Sequence, residues 1–124
     1  MSEVLPTAEN DSGTAPRASS NIRHLCRMEI AGGGQIVIDG NYAYIGHQHG
    51  PQGTTILDIS DPRKPKIVSK LMTSHPMSHS HKVRVVGDIM LVNSEIEPGS
   101  GSLKDYPAGG FHIYDVKDKT NPKL

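Results

Sequence analysis

Cysteine and large aromatic residues are scarce in this chain, whose 124 residues include one cysteine, no tryptophan and one phenylalanine. A single cysteine excludes both an internal disulfide framework and a zinc site built from several cysteines. A core must therefore be built from Ile, Val, Leu, Met and Tyr. The single cysteine and an N-terminus without a signal-peptide pattern predict a reduced, cytoplasmic protein.

An excess of charge of one sign is also absent, since 13 Lys and Arg balance 13 Asp and Glu. No global field therefore draws the chain to nucleic acid or to an anionic membrane. No apolar run approaches the roughly 20 residues with which a helix crosses a bilayer. We therefore expect neither a nucleic acid nor a membrane as a partner.

Glycine and proline are plentiful, with 13 and 9 residues, and both interrupt helices. Runs of β-branched and aromatic residues between turn signals predict an all-β fold instead. The predicted strands cover residues 35–38, 42–45, 54–59, 66–72, 83–86, 89–92 and 111–116. A further short strand is predicted around Leu25, Met28 and Ile30. Residues 73–82 and 93–110 are predicted to be connections.

The first 21 residues are rich in Ser, Thr, Ala, Pro and Asn and contain few bulky apolar side chains. Such a segment buries too little surface to offset the entropy lost on ordering. We predict a disordered leader over 1–21 and folded structure over 22–124. Gly32, Gly33 and Gly34 lack the following helix of a phosphate-binding loop, so we expect them to let two backbones pass closely.

The chain repeats itself. Asp39-Gly40 separates two strand-like runs, a strong hairpin signal, and Gly87 follows Gly40 at a spacing of 47. Asp115 follows Asp58 at a spacing of 57, so the ten extra residues fall in a loop, where insertions are tolerated. Because these two aspartates recur just before a turn, we interpret them as turn caps and not as catalytic groups. A repeated four-stranded unit of about 45–55 residues is typical of a β-propeller blade.

Residues 40–45 (GNYAYI) and 56–62 (ILDISDP), with echoes at Gly87 and at 113–116 (IYDV), resemble the LVIVD repeat. The resemblance covers residues 30–124 and implies antiparallel β-propeller blades, one complete and a second nearly complete. Because propellers typically have four to eight blades, we expect the remaining blades from a longer chain or from self-association. A propeller by itself does not specify a function.

The blade topology implied by the resemblance brings seven potential metal ligands toward one face: His47, His49, His75, His79, His81, Glu95 and Glu97. In an extended chain, residues two apart point the same way. His47 with His49, and His79 with His81, are therefore predicted to form two pincers.

Four imidazoles from His47, His49, His79 and His81 suit a divalent transition metal such as zinc, copper, iron or nickel. Glu95 is then a fifth ligand or a general base acting on bound water. One interpretation is therefore the metal site of a hydrolase or an oxidoreductase, with a small molecule at the propeller face. The other is a non-catalytic scaffold that binds a protein or a small ligand there. The residues do not decide between an enzyme and a scaffold.

Overall fold

The computed structural model describes residues 20–124. Strands β1 (Gly33–Asp39), β2 (Tyr42–His47), β3 (Gln52–Asp58) and β4 (Lys66–Met72) form an antiparallel sheet in that order, here called sheet 1. Sheet 2 contains β5 (Ser78–His79), β6 (Val83–Val86), β7 (Ile89–Ile96) and β8 (Gly110–Asp115), with β7 pairing to the other three. A 3-10 turn at Leu103–Asp105 completes the elements. The predicted all-β fold is confirmed, and the two sheets are not closed into a propeller.

The internal repeat is present in the pairing of the strands. Equivalent cross-strand pairs recur at the predicted spacings of 47 and 57: Ile36–Ile45 with Val83–Val92, Tyr44–Ile56 with Leu91–Ile113, and Asp58–Lys66 with Asp115–Lys123. Both hairpin turns place a glycine at positive φ, +56° at Gly40 and +58° at Gly87. Glycine adopts this conformation without the steric penalty of other residues. Strands β6, β7 and β8 of sheet 2 therefore repeat β1, β2 and β3 of sheet 1, and an isolated bridge at Lys123 stands at the place of β4.

The main core lies between the two sheets. Because side chains alternate across a strand, Tyr44 and Ile56 point from sheet 1 toward Val83, Met90 and Val92 of sheet 2, and all five are buried. These side chains belong to the residue types, Ile, Val, Met and Tyr among them, from which the composition predicted that a core would be built. Their burial joins the sheets face to face.

A smaller cluster covers the opposite face of sheet 1. Ala43, Ile45 and Leu57 are buried there, and Met28 and Ile30 pack against them. The prediction of a strand at these two residues is wrong, because no strand precedes Gly33 within residues 20–124. Their side chains cover the face of the sheet, and their backbone does not extend the ladder at its edge.

The predicted connections at 73–82 and 93–110 are too long. Strand β7 continues through Ile96, because Ile96 pairs with Ser78 and Glu95 pairs with His79. Two segments without a strand-like sequence pattern, 78–79 and 95–96, therefore form an additional β-strand pairing. This extra pairing moves Glu95 from a predicted loop onto a strand, directly opposite His79.

The predicted turn caps are confirmed. The Asp58 carboxylate accepts hydrogen bonds from the Ser60 backbone N–H (2.8 Å) and hydroxyl (2.6 Å). The Asp115 carboxylate accepts one from the Lys117 N–H at 2.8 Å. Residues 1–19 of the predicted leader lie outside the described residues. Within residues 20–124, no helix is long and apolar enough to cross a membrane.

Candidate metal centre

The connection that carries His79 and His81 is held from both sides by backbone hydrogen bonds. From sheet 1, the His47 N–H donates to the Ser80 carbonyl (2.9 Å) and the Gln35 N–H donates to the His81 carbonyl (3.0 Å). From sheet 2, the Asn93 N–H donates to the Lys82 carbonyl at 3.3 Å. Since a backbone fixed at successive residues restricts its side chains, the two histidines have defined positions.

A break in the ladder separates the two histidines. His79 lies opposite Glu95, and in an unbroken register Lys82 would lie opposite Val92, yet Val83 occupies that position. The one-residue offset falls within Ser80–Lys82, between β5 and β6. Such irregularities commonly redirect side chains beside functional sites. Here the offset lets His81 leave the ladder while His79 stays paired.

Two glycines of sheet 1 make room for the backbone of His81. A Cβ atom at Gly46 would lie 2.6 Å from the His81 carbonyl carbon and oxygen, and one at Gly34 would lie 3.0 Å from the same oxygen. The first distance is shorter than real Cβ contacts allow. The prediction that the glycine run lets two backbones pass closely is confirmed at Gly34.

His79, His81 and Glu95, hereafter the metal-ligand cluster, offer three donor atoms within 4.8 Å of one another. The two imidazole rings stack with centroids 4.9 Å apart and an interplanar angle of 17°. His79 Nε2 lies 3.9 Å from Glu95 Oε2. His79 is buried, His81 is half-buried and Glu95 is exposed, so the cluster opens to solvent on the side of the carboxylate.

Both histidines of the cluster have an unpaired ring nitrogen. The Nδ1 atoms of His79 and His81 are buried and have no hydrogen-bond partner among the described residues. An unsatisfied buried polar atom typically costs about 1–3 kcal/mol, and such atoms are uncommon in native structures. Within residues 20–124, these two nitrogens are therefore free to accept a further partner.

The surroundings favour the protonation states that bind metals. Burial is the main cause that lowers the pKa of His81, and the nearby Glu95 opposes this shift. The Asn93 amide and then the Lys82 ammonium hold the pKa of Glu95 below its ordinary value. Lys82 Nζ lies 3.7 Å from Glu95 Oε1. At neutral pH the site thus presents a neutral imidazole at His81 and a carboxylate at Glu95.

His47 lies apart from the cluster, in the interior of sheet 1. Its ring is 0% exposed, Nδ1 is 2.6 Å from the Ala31 carbonyl and Nε2 is 2.8 Å from the Thr55 hydroxyl. A carbonyl only accepts, so Nδ1 donates to Ala31, and Nε2 forms a second hydrogen bond with the Thr55 hydroxyl. Both nitrogens are engaged in hydrogen bonds.

His49 pairs with a different glutamate. Its Nδ1 lies 3.0 Å from Glu97 Oε1, and Glu97 Oε2 accepts a hydrogen bond from the Gly50 N–H at 3.1 Å. That backbone hydrogen bond is the main cause that lowers the pKa of Glu97. His75 also lies outside the cluster, because its Nδ1 accepts the Met77 N–H and its ring packs on Tyr106. The predicted pincer of His79 and His81 is thus brought together, and that of His47 and His49 is divided.

Comparison with protein families gives one result, a match of the LVIVD repeat family model to residues 33–73. Residues 33–73 are an LVIVD repeat. The resemblance drawn from the sequence is confirmed for this stretch, and such repeats are associated with β-propeller-like folds. Comparisons with curated proteins and with solved structures gave no match.

The LVIVD repeat accounts for sheet 1 but not for the metal-ligand cluster. The matched residues begin with β1 and end just after β4, so they include His47 and His49. His79, His81 and Glu95 lie beyond residue 73, in the following connection and in sheet 2. The cluster is therefore a feature of this chain's second half, supported by two glycines of the repeat.

Proposed function

We propose that this LVIVD-repeat chain is a β-propeller segment that binds one divalent transition-metal ion through His79, His81 and Glu95. One observation carries the proposal, the gathering of three donor atoms within 4.8 Å beside two buried imidazole nitrogens that lack a partner among the described residues. In this proposal Glu95 is a ligand. His47 is structural and His49 is not a ligand, so the site has three protein ligands in place of four imidazoles.

The donor set narrows the choice of metal. Two histidines and one glutamate are the ligands of hydrolytic zinc sites, and two histidines with a carboxylate also bind non-haem iron. Bonds of about 2.0–2.1 Å in a tetrahedral site separate ligand atoms by about 3.4 Å. A modest movement of side chains would therefore close the cluster around an ion. Zinc and iron fit this set better than copper or nickel.

Three protein ligands leave a coordination position for water or substrate, as in catalytic zinc sites. A bound divalent metal would supply an activated water or a polarised substrate oxygen, so the proposed reaction is hydrolytic or oxidative. A small pocket of about 220 Å³ lies nearby, lined by Ala31, Gly32, His49, Gly50, Pro51 and Gln52. A Cβ at Gly50 would lie 2.7 Å from the Ser78 carbonyl, so this pocket borders β5 and fits a small molecule.

Cobalt(II) is a direct probe of the site, because its visible spectrum reports the number and type of its ligands. We expect a titration of the purified chain to saturate at one equivalent with a spectrum of nitrogen and oxygen ligands. His79→Ala and His81→Ala should abolish this spectrum. The matched variant His49→Ala should retain it. Retained binding in both of the first two variants would refute the proposed ligand set.

A non-catalytic binding scaffold is the second candidate, and one observation favours it. Sheet 2 leaves large apolar side chains of β7 and β8 exposed, among them Leu91, Phe111 and Ile113, and such a patch commonly marks an interaction site. A well-folded chain that binds neither cobalt nor zinc would support this alternative.

The cytoplasmic location stays a prediction from the cysteine count.

A further inference from the structure

One face of sheet 2 carries large apolar side chains that residues 20–124 leave uncovered, with the charged residues Arg84 and Asp115 at its margins. Its exposed large side chains are Val86, Ile89, Leu91, Phe111 and Ile113. They share one face, because Leu91 lies opposite Ile113, Val86 lies opposite Ile89, and the remaining residue is two positions from Ile113. Monomeric proteins rarely expose a contiguous apolar patch larger than a few hundred Å². This surface therefore lacks a partner within residues 20–124.

The repeat identifies what covers the equivalent face of sheet 1. Leu91 and Ile113 correspond to Tyr44 and Ile56 at the spacings of 47 and 57. Tyr44 and Ile56 are 0% exposed, because sheet 2 packs on them. Leu91 is 36% and Ile113 is 51% exposed. Among residues 20–124, the surface that a following sheet covers in the first repeat is therefore exposed in the second.

Sheet 1 also has exposed apolar side chains, on the face that does not contact sheet 2. Ile36 of β1 is 57% exposed, whereas its counterpart Val83 in sheet 2 is 1% exposed, since it packs against sheet 1. Ile38, the counterpart of Val85, is likewise exposed. Met28 and Ile30 cover the middle of this face, but the β1 side stays open. Each chain thus has two exposed apolar surfaces, one on sheet 2 and one on the β1 side of sheet 1. The contact between sheets 1 and 2 within the chain shows how two surfaces of this kind pack together.

We propose that the apolar face of sheet 2 docks on the β1 side of sheet 1 of a second copy of this chain. In this contact Ile36 and Ile38 take the place that Val83 and Val85 have in the packing of sheet 2 on sheet 1, while Met28 and Ile30 stay on the middle of the face. Burial of the exposed isoleucines, leucine and phenylalanine drives it. Because the two faces differ, association is head-to-tail and yields a closed ring or an open chain of copies. This inference concerns assembly and does not depend on metal binding.

The test uses two variants that each lose one face. Leu91→Asp with Ile113→Asp blocks sheet 2, and Ile36→Asp with Ile38→Asp blocks the β1 side of sheet 1. Light scattering with size exclusion should give wild-type masses that are multiples of 13.4 kDa and rise with concentration. Each variant alone should be a monomer. Their mixture should form a one-to-one dimer of about twice that mass, because each retains the face that the other has lost.

A control and two contrary results complete the design. Leu103→Asp replaces an exposed leucine of the 3-10 turn, which is part of neither face, and should assemble as the wild type does. Circular dichroism with a β-sheet spectrum shows that each variant is folded. A wild-type monomer at all concentrations would overturn the proposal. So would a mixture of two folded variants that stays monomeric, because the faces would then not be complementary.

Discussion

His47 and His81 are two histidines with opposite surroundings. Each ring nitrogen of His47 meets a hydrogen-bonding oxygen, whereas Nδ1 of His81 meets none among the described residues. An imidazole with both nitrogens paired stabilises the fold but cannot coordinate a metal without losing a hydrogen bond. An unpaired buried nitrogen can coordinate a metal without losing a hydrogen bond. The environment of each histidine, and not the His-x-His spacing, separates the structural role of His47 from the ligand role proposed for His81.

This difference predicts the effect of removing His47. We expect His47→Ala to lower the free energy of unfolding by about 2–4 kcal/mol, because it leaves a cavity and two unsatisfied oxygens. Urea denaturation measures the change. His49→Ala is the matched control, since its exposed ring should contribute little to stability. If His47→Ala instead keeps its stability and loses metal binding, His47 is a ligand and the three-ligand site is wrong.

At the scale of elements, a glycine of β2 positions the metal-ligand cluster. A side chain at Gly46 would collide with the His81 backbone, and this collision cannot be relieved by a rotamer change. We expect Gly46→Ala to destabilise the chain by about 1–3 kcal/mol and to weaken metal binding at least tenfold, because His81 must move.

Gly40→Ala is the control for this substitution. Gly40 has a positive φ, and apart from its two chain neighbours no atom of residues 20–124 lies within 4 Å of the place that a Cβ would take. Alanine there strains the turn by about 1 kcal/mol and leaves His81 in place. Calorimetric titration with zinc compares the two variants. Equal metal affinities in Gly46→Ala and wild type would show that the glycine does not position the cluster.

The turns between strands carry a pH-dependent contribution to stability. The Ser60 hydroxyl and N–H lower the pKa of Asp58 below its ordinary value of 3.8, and the Thr120 hydroxyl and N–H do the same for Asp118. A depressed pKa in the folded state stabilises it above pH 3.8, and this stability is lost as the pH falls through the lowered pKa.

Thermal unfolding between about pH 6 and about pH 2.5, a range that spans the ordinary pKa of aspartate, measures this contribution. We expect the melting temperature of wild type to fall more steeply with acid than that of Asp58→Asn with Asp118→Asn. Ser60→Ala with Thr120→Val keeps both carboxylates but removes the main cause of the shifts, so it should flatten the curve in the same way. Parallel curves for all three proteins would contradict the assignment.

The strands were predictable where the sequence has runs of β-branched and aromatic residues separated by turn residues. The hairpins at Gly40 and Gly87 follow from β-branched runs around a turn residue. Strand β5 and the end of β7 carry no such pattern, because Ser78, His79 and Glu95 pair only through tertiary structure. Met28 and Ile30 are the reverse case, since their apolar pattern led to a predicted strand that the described chain does not form.

At the scale of the whole molecule, the repeat was predictable because its spacings of 47 and 57 recur in the strand register. The candidate site was predictable only in part. The density of histidines before β6 pointed to His79 and His81, and Glu95 was included with them. The separation of His47 from His49 was not predictable, because it depends on which partners fold against each ring: Ala31 and Thr55 for His47, and Glu97 for His49.

Metal content after equilibrium dialysis against zinc is the most direct test of the central claim, that His79, His81 and Glu95 form a metal site. Elemental analysis of tag-free protein should give one zinc per chain in wild type and in His49→Ala. It should give none in a folded variant that combines His79→Ala and His81→Ala. Zinc that stays stoichiometric in that double variant, or that is absent from folded wild type, would contradict the account.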